Sequence, residues 1–174
     1  MTYYFTADQH FGHANIIKFC SRPYSCVEEM DESLINNHNE VVSPEDVVIH
    51  GGDFTLIKNK PRIYREYINR LNGEHVFLEG SHDYWLKGEK GIKNIWGKEF
   101  PGRIYIVLCH YAMRVWHRSH WNSYLLHGHS HGNLPPMGKQ HDVGVDNNNF
   151  YPVSFEEIVE IMKNRENNPN RISS

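Results

Sequence analysis

Long hydrophobic runs are missing from this sequence. No apolar stretch approaches the ~18 residues that a membrane span requires, so a helical membrane protein is not expected. A basic excess is missing too. The 18 lysines and arginines against 21 aspartates and glutamates leave a net charge of −3 at neutral pH. That balance argues against a strong nucleic-acid-binding surface, although a local pocket for an anion remains compatible with it. The opening residues MTYYFTADQHFGH lack the basic start and apolar core of a signal peptide. Cysteine is scarce and odd in number (Cys20, Cys26 and Cys109), so free thiols in a reducing cytoplasm are expected in place of a disulfide framework. Repeats, low-complexity tracts and long linkers are absent. A single domain over residues 1–166 with a frayed tail at 167–174 is the expectation.

What the chain does have is histidine, thirteen in 174 residues. Runs rich in β-branched and aromatic residues alternate with helical patterns. TYYFTAD, EDVVIHGGD, EHVFLEG, RIYIVLCH, YLLHGH and HDVGVD read as strands. A helix is expected from Ser25 to Val42, opened by a capping box of Ser25 with Glu28. A second covers PRIYREYINRLNG, and a third opens at Ser154 with Glu157. Such alternation predicts an α/β layered domain.

Five of the strands finish in the same chemistry. The first ends in Asp8 and His10, the second in Asp53, the third in His82 and Asp83, the fourth in His110, and the fifth in His129 and His131. In an open α/β sheet the loops at the carboxyl ends of strands converge on one crevice, where ligands bind. Imidazoles mixed with carboxylates suit divalent transition metals. The set is too large for one tetrahedral zinc and fits two metals sharing a bridging carboxylate.

The motifs DQH at 8–10, GGD at 51–53, GSHD at 80–83, CHY at 109–111 and GHSH at 128–131 resemble the signature of the calcineurin-like metallophosphoesterases. That signature is Asp-x-His, Gly-Asp, Gly-Asn-His-Asp/Glu, a lone His and Gly-His-x-His, each after a strand. The resemblance runs from residue 2 to about 160, and the opening segment is similar to the short prokaryotic and phage members. It implies a four-layer αββα sandwich with the active site at the C-terminal ends of the strands. It also implies a phosphoesterase, here expected to be cytoplasmic. The small chain leaves little beyond the core fold, so a small phosphate-ester or nucleotide-like substrate is expected, a phosphodiesterase first, with a phosphomonoesterase or protein phosphatase as the alternative. By position, Asp8, His10 and His131 would hold a first metal and Asp53 would bridge. His110 and His129 would hold a second metal together with residue 81. The expected ions are two divalent metals, manganese first, with iron, zinc or nickel as alternatives. The implied chemistry is a two-metal-activated hydroxide. His82 would be the general acid, its imidazole oriented by Asp83. Ser81 is the one departure: it stands where the family has a ligating asparagine and predicts a weak or water-mediated contact.

Other residues carry weaker expectations. His13, Arg114 and Trp116 are candidates for binding substrate, the last two in a segment expected to arch over the crevice. His50 and His127 read as core residues behind the ligands. His38, His75 and His141 read as surface or turn positions, and Cys109 as buried filler. Asp142 and Asp146 are expected to support the crevice wall, with metal binding the less favoured role. The rival to an enzyme is a binding or scaffold module on the same fold, favoured by Ser81.

Overall fold

The run Ile104–Cys109 shows how the layers arise. Ile106 and Leu108 are fully buried in one cluster, while Val107 between them packs against Trp116 and Leu125 in another. That is the two-residue period of a strand with both faces covered. The computed structural model describes residues 1–91 and 93–168. In chain order the elements are β1 (Tyr3–Thr6), α1 (Ala14–Phe19), α2 (Val27–Val41), β2 (Val47–His50), α3 (Lys60–Glu66), β3 (Glu74–Phe77), β4 (Ile95–Phe100), β5 (Ile104–Cys109), β6 (Tyr124–His127), β7 (Gln140–Asp142), β8 (Val153–Ser154) and α4 (Phe155–Lys163).

The strands form two four-stranded mixed sheets, ordered β3-β2-β1-β8 and β4-β5-β6-β7. Strands β1, β2 and β3 run parallel, with β8 antiparallel at the edge. Strands β5, β6 and β7 also run parallel, with β4 antiparallel. The sheets meet face to face: Phe5, Ala7, Ile49 and Leu78 pack against Ile106, Leu108, Tyr124 and Leu126, and Ile158 and Met162 of α4 join this core. Helices α1 to α3 cover the other face of the first sheet through Ile16, Met30, Leu34, Ile35 and Ile63. The molecule is therefore an α/β sandwich of two mixed sheets flanked by helices. On the outer face of the second sheet, Met113 and Trp116 from an irregular segment provide the cover.

Helix ends follow local chemistry. Ser154 and Glu157 form the expected capping box at α4. At α2 the expected box of Ser25 with Glu28 does not form. Cys26 is the N-cap, and the Ser25 backbone N–H and hydroxyl both reach the Glu29 carboxylate, at 2.8 and 2.5 Å. Helix α3 is shorter than expected. It is capped by Asn59, whose Oδ1 accepts the Arg62 N–H, and gives way to a 3-10 turn at Ile68–Arg70.

Three further expectations are corrected. Strand β4 falls where no strand is expected, between EHVFLEG and RIYIVLCH. Its Gly97, Lys98 and Glu99 are poor strand formers, and pairing with β5 overrides them. His38 and His141 are buried, with Nε2 bonded to the Asn72 carbonyl and to Asn148 Oδ1 respectively, and His75 is half-buried against His50. Asn167 and Asn168 are packed against the chain, not frayed. Asn167 Oδ1 accepts the Asn122 N–H, Asn168 donates to the carbonyls of Ser119 and Arg114, and Asn168 is buried. The rest of the expected tail, 169–174, lies outside the described residues. Cys109 is half-buried. Among the described residues no helix is long and apolar enough to cross a membrane.

Candidate metal centre

Strands β1 and β2 end side by side, and their following loops are laced together. The N–H of Asp8 donates to the Gly52 carbonyl (3.0 Å), that of His10 to Asp53 (3.1 Å) and that of Phe11 to Phe54 (2.9 Å). The third loop folds back on the second through glycine. A Cβ on Gly80 would lie 2.3 Å from both the backbone N and Oδ1 of Asp53, so no larger residue fits. The lone histidine is drawn in from β5: His110 Nδ1 meets the Gly51 carbonyl at 3.0 Å. Behind β6, the N–H of His129 donates to Asp8 Oδ2 at 2.8 Å.

These contacts gather two donor sets. Asp8, His10 and His131 have ligand atoms mutually within 4.8 Å, and so do Asp53, His110 and His129. Asp53 Oδ2 faces both, 3.8 Å from His10 Nε2 and 3.3 Å from His110 Nε2. Five of these six residues hold left-handed backbone: Asp8 (φ 59°), His10 (54°), Asp53 (55°), His129 (67°) and His131 (47°). Each such conformation costs on the order of 1–3 kcal/mol away from glycine and persists only where the surroundings impose it. Sequence periodicity carries no signal of it.

The donor atoms are short of partners. Among the described residues, seven buried side-chain polar atoms lack a hydrogen bond, and four of them are Asp8 Oδ1, His10 Nδ1 and Nε2, and His110 Nε2. Burial lifts the Asp8 carboxyl to about 7 despite the nearby His131 and His110, and it drops His10 to about 3. Burial would raise Asp53 as well, but its contacts with His110, the His82 N–H and His10 outweigh it and leave the carboxyl below the usual range. Burial likewise opposes charge on His110, and the Asp53 and Asp8 carboxylates reverse that and raise it. Buried carboxylates and imidazoles with open lone pairs, three atoms in the set of Asp8 and one in the set of Asp53, have the chemistry that a divalent cation satisfies. The residues present fit a pair of such ions.

His82 and His13 stand at the mouth. The His82 side chain is 40% exposed, with Nε2 4.0 Å from Asp53 Oδ2. Its ring lies 5.4 Å from His10 and 6.4 Å from His13, centroid to centroid. His13 is half-buried, with its pKa lowered by burial and then by His82 and Arg22. The Ser81 hydroxyl donates to both Asp53 oxygens, at 3.0 and 3.2 Å.

Asp83 does something other than orient His82. Its Oδ2 accepts the N–H groups of Asp53 (2.7 Å) and Gly80 (3.0 Å). Its Oδ1 accepts those of Phe54 (2.9 Å), Thr55 (3.3 Å) and the Trp85 indole (3.1 Å). The carboxylate is buried and pins the second and third loops to each other. Trp116 is also reassigned: its ring is buried with Val107 and Leu125, and its Nε1 donates to Ser123 Oγ at 2.9 Å, so it is core, not substrate contact. Arg114 is exposed on the segment between β5 and β6, and its carbonyl accepts the Asn168 side-chain amide at 2.8 Å.

Sequence reasoning missed Arg22 and gave Asp146 only a supporting part. The Arg22 side chain is fully buried; Nε and Nη2 bind the two Asp146 oxygens at 2.7 and 2.8 Å, and Asp146 Oδ2 bonds His131 Nδ1 at 2.6 Å. The Arg-Pro pair after α1 was the available hint, but nothing local ties it to a residue 124 positions away.

A layered α/β sandwich with a histidine-carboxylate cluster at its strand ends is the class that fold and site define. No family model matches the sequence. Uncharacterized protein MJ1445 of Methanocaldococcus jannaschii is 38% identical over 167 residues, spanning 92% of this chain and 90% of that protein, and the chain belongs to the same family. The crystal structure of the protein of unknown function AQ665 from Aquifex aeolicus is similar with a TM-score of 0.70 and 25% identity, over 92% of this chain and 98% of that one.

Proposed function

We propose that this protein is a dinuclear metal-dependent phosphoesterase of the calcineurin-like type, with phosphodiesters preferred as substrates. One observation carries the reading. Two three-residue donor sets lie side by side, Asp53 faces both, and their buried donor atoms include several without a partner. Asp8, His10 and His131 would hold one ion, His110 and His129 the other, with Asp53 shared. Bound there, divalent cations neutralise the charge of a phosphate ester and bring the pKa of coordinated water toward neutrality.

The chain's own residues do the rest. His82, half-exposed at the mouth, holds a proton on Nε2 and delivers it to the departing alkoxide oxygen. His13 beside it offers a donor to a non-bridging phosphate oxygen. Asp83 keeps the His82 backbone and Asp53 in one rigid unit through its N–H contacts. Ser81 weakens the second set, because its hydroxyl engages Asp53 where the family's asparagine would ligate. That favours a second reading, a binding module holding one ion or none.

The test is metal analysis paired with a manganese-supplemented turnover panel of aryl monoester, aryl diester, cyclic nucleotides and short oligonucleotides. Two metals per chain with turnover of the diesters is the expected result. Silence across the panel with both metals bound would remove the enzymatic reading, and one metal or none would favour the binding module.

A further inference from the structure

A fully buried arginine is uncommon unless it is paired, and Arg22 is paired on every side. Besides the two Asp146 oxygens, Nη2 donates to the Asp8 carbonyl at 2.7 Å and Nη1 to the Gln9 carbonyl at 2.9 Å. The guanidinium thus holds the backbone of the first motif from below. Cys20 lies alongside. Its sulfur, a ring nitrogen of His131 and a carboxylate oxygen of Asp146 are mutually within 4.8 Å. Thiolate, imidazole and carboxylate at that spacing form a donor set of their own, of the kind that takes zinc or cobalt.

His131 therefore belongs to two competing sets, one with Asp8 and His10, the other with Cys20 and Asp146. We propose that Arg22 decides between them: it occupies both oxygens of Asp146, closes the sulfur-containing set, and through Asp146 fixes the imidazole of His131 for the set of Asp8 and His10. The physical reasons are direct. Asp146, bound at both oxygens by a planar cation, has its charge balanced and its lone pairs directed away from an incoming ion. Its remaining contact takes the Nδ1–H of His131 and so leaves Nε2 as the free lone pair. A lysine supplies a point charge and cannot cover both oxygens while holding two carbonyls. Arg22 is a positioning residue, and its effect is to keep the centre an oxygen-and-nitrogen one. The inference rests on the metal-binding part of the proposed function and not on hydrolysis.

The probe is Co²⁺ titrated into the metal-free full chain, with affinity read by calorimetry and sulfur coordination read from the near-ultraviolet thiolate-to-cobalt charge-transfer band. Wild type is expected to bind without that band, and Cys20→Ser to bind with unchanged affinity. Arg22→Met and Arg22→Lys are expected to gain the band, to lose it again when combined with Cys20→Ser, and to bind the first ion about 10–100-fold more weakly. A band in wild type, or weaker binding in Cys20→Ser, overturns the proposal, and this arm decides even if the Arg22 variants do not fold. Folded Arg22 variants with wild-type affinity and no band overturn it as well, while the metal centre itself stands. No Co²⁺ uptake by wild type overturns both.

Discussion

Replacing Asp83 by asparagine perturbs the loop junction without changing its shape. The carboxylate accepts five N–H groups, two on Oδ2 and three on Oδ1, and is itself buried. Burial pushes its pKa up, while the N–H groups of Gly80, Trp85 and Thr55 pull it down. All five neighbours are donors, so a proton on Asp83 would find no acceptor among them. An asparagine keeps one acceptor oxygen. Its amide nitrogen must then face at least the two donors from Asp53 and Gly80. Each buried N–H that loses its acceptor costs about 1–3 kcal/mol, so the substitution should cost about 2–6 kcal/mol. That is a large part of the roughly 5–15 kcal/mol that holds a domain together. Urea unfolding of the metal-free protein at neutral pH measures the loss directly. Manganese affinity, measured alongside, should fall because Asp53 loses the anchor of its left-handed backbone. If Asp83→Asn unfolds within about 1 kcal/mol of wild type, below the cost of two orphaned donors, the loop-pinning account is wrong. If it also binds metal normally while losing turnover as a His82 variant does, the residue acts on the imidazole after all.

His82→Ala should retain metal yet lose about 10²–10⁴ in turnover of poor leaving groups, with a smaller loss on an activated aryl ester; equal losses on both would remove the proton-donor role. Gly80→Ala places a methyl 2.3 Å from two atoms of Asp53. It should lower stability by about 1–3 kcal/mol and weaken the ion held by the set of Asp53, which thermal unfolding and manganese titration would reveal; unchanged values in both would mean that the loops yield freely. His38 is buried, donates to the Asn72 carbonyl at 2.8 Å, and has its pKa lowered by burial from 6.5 to about 4. Its folded pKa lies below its unfolded one, so the stability it carries is complete above pH 6.5 and is lost as pH falls toward about 4. The full loss is about 3 kcal/mol, and His38→Gln, which keeps a donor but cannot titrate, should flatten that part of the acid-unfolding curve; identical slopes would refute it.

Much of this was readable in one dimension. Residue type and a period of two identify β1, β2, β3, β5 and β6, because a buried strand needs side chains on alternating faces. The metal-ligand candidates followed, because each sits just beyond a strand where loops converge. Asp8, His10 and His131 do meet, and so do Asp53, His110 and His129. Other features depend on neighbours that sequence does not name. Lys98 and Glu99 become strand only because β5 lies beside them. His38 and His141 are polar by type and buried by the accident of what packs over them. Trp116 turned inward because Val107 and Leu125 left a face to cover.

The sequence by itself determined the chemistry available at the strand ends, since a carboxylate or an imidazole is the same donor in any fold. Only the tertiary structure decided what each donor does. Asp83, adjacent to His82 in the chain, turned toward three N–H groups of the loop after β2 and two of its own loop. Arg22 found its partner 124 residues away in Asp146. A buried charge or hydrogen-bonding group takes whichever partner the fold brings within about 3 Å, and that distance is fixed by packing, not by order along the chain.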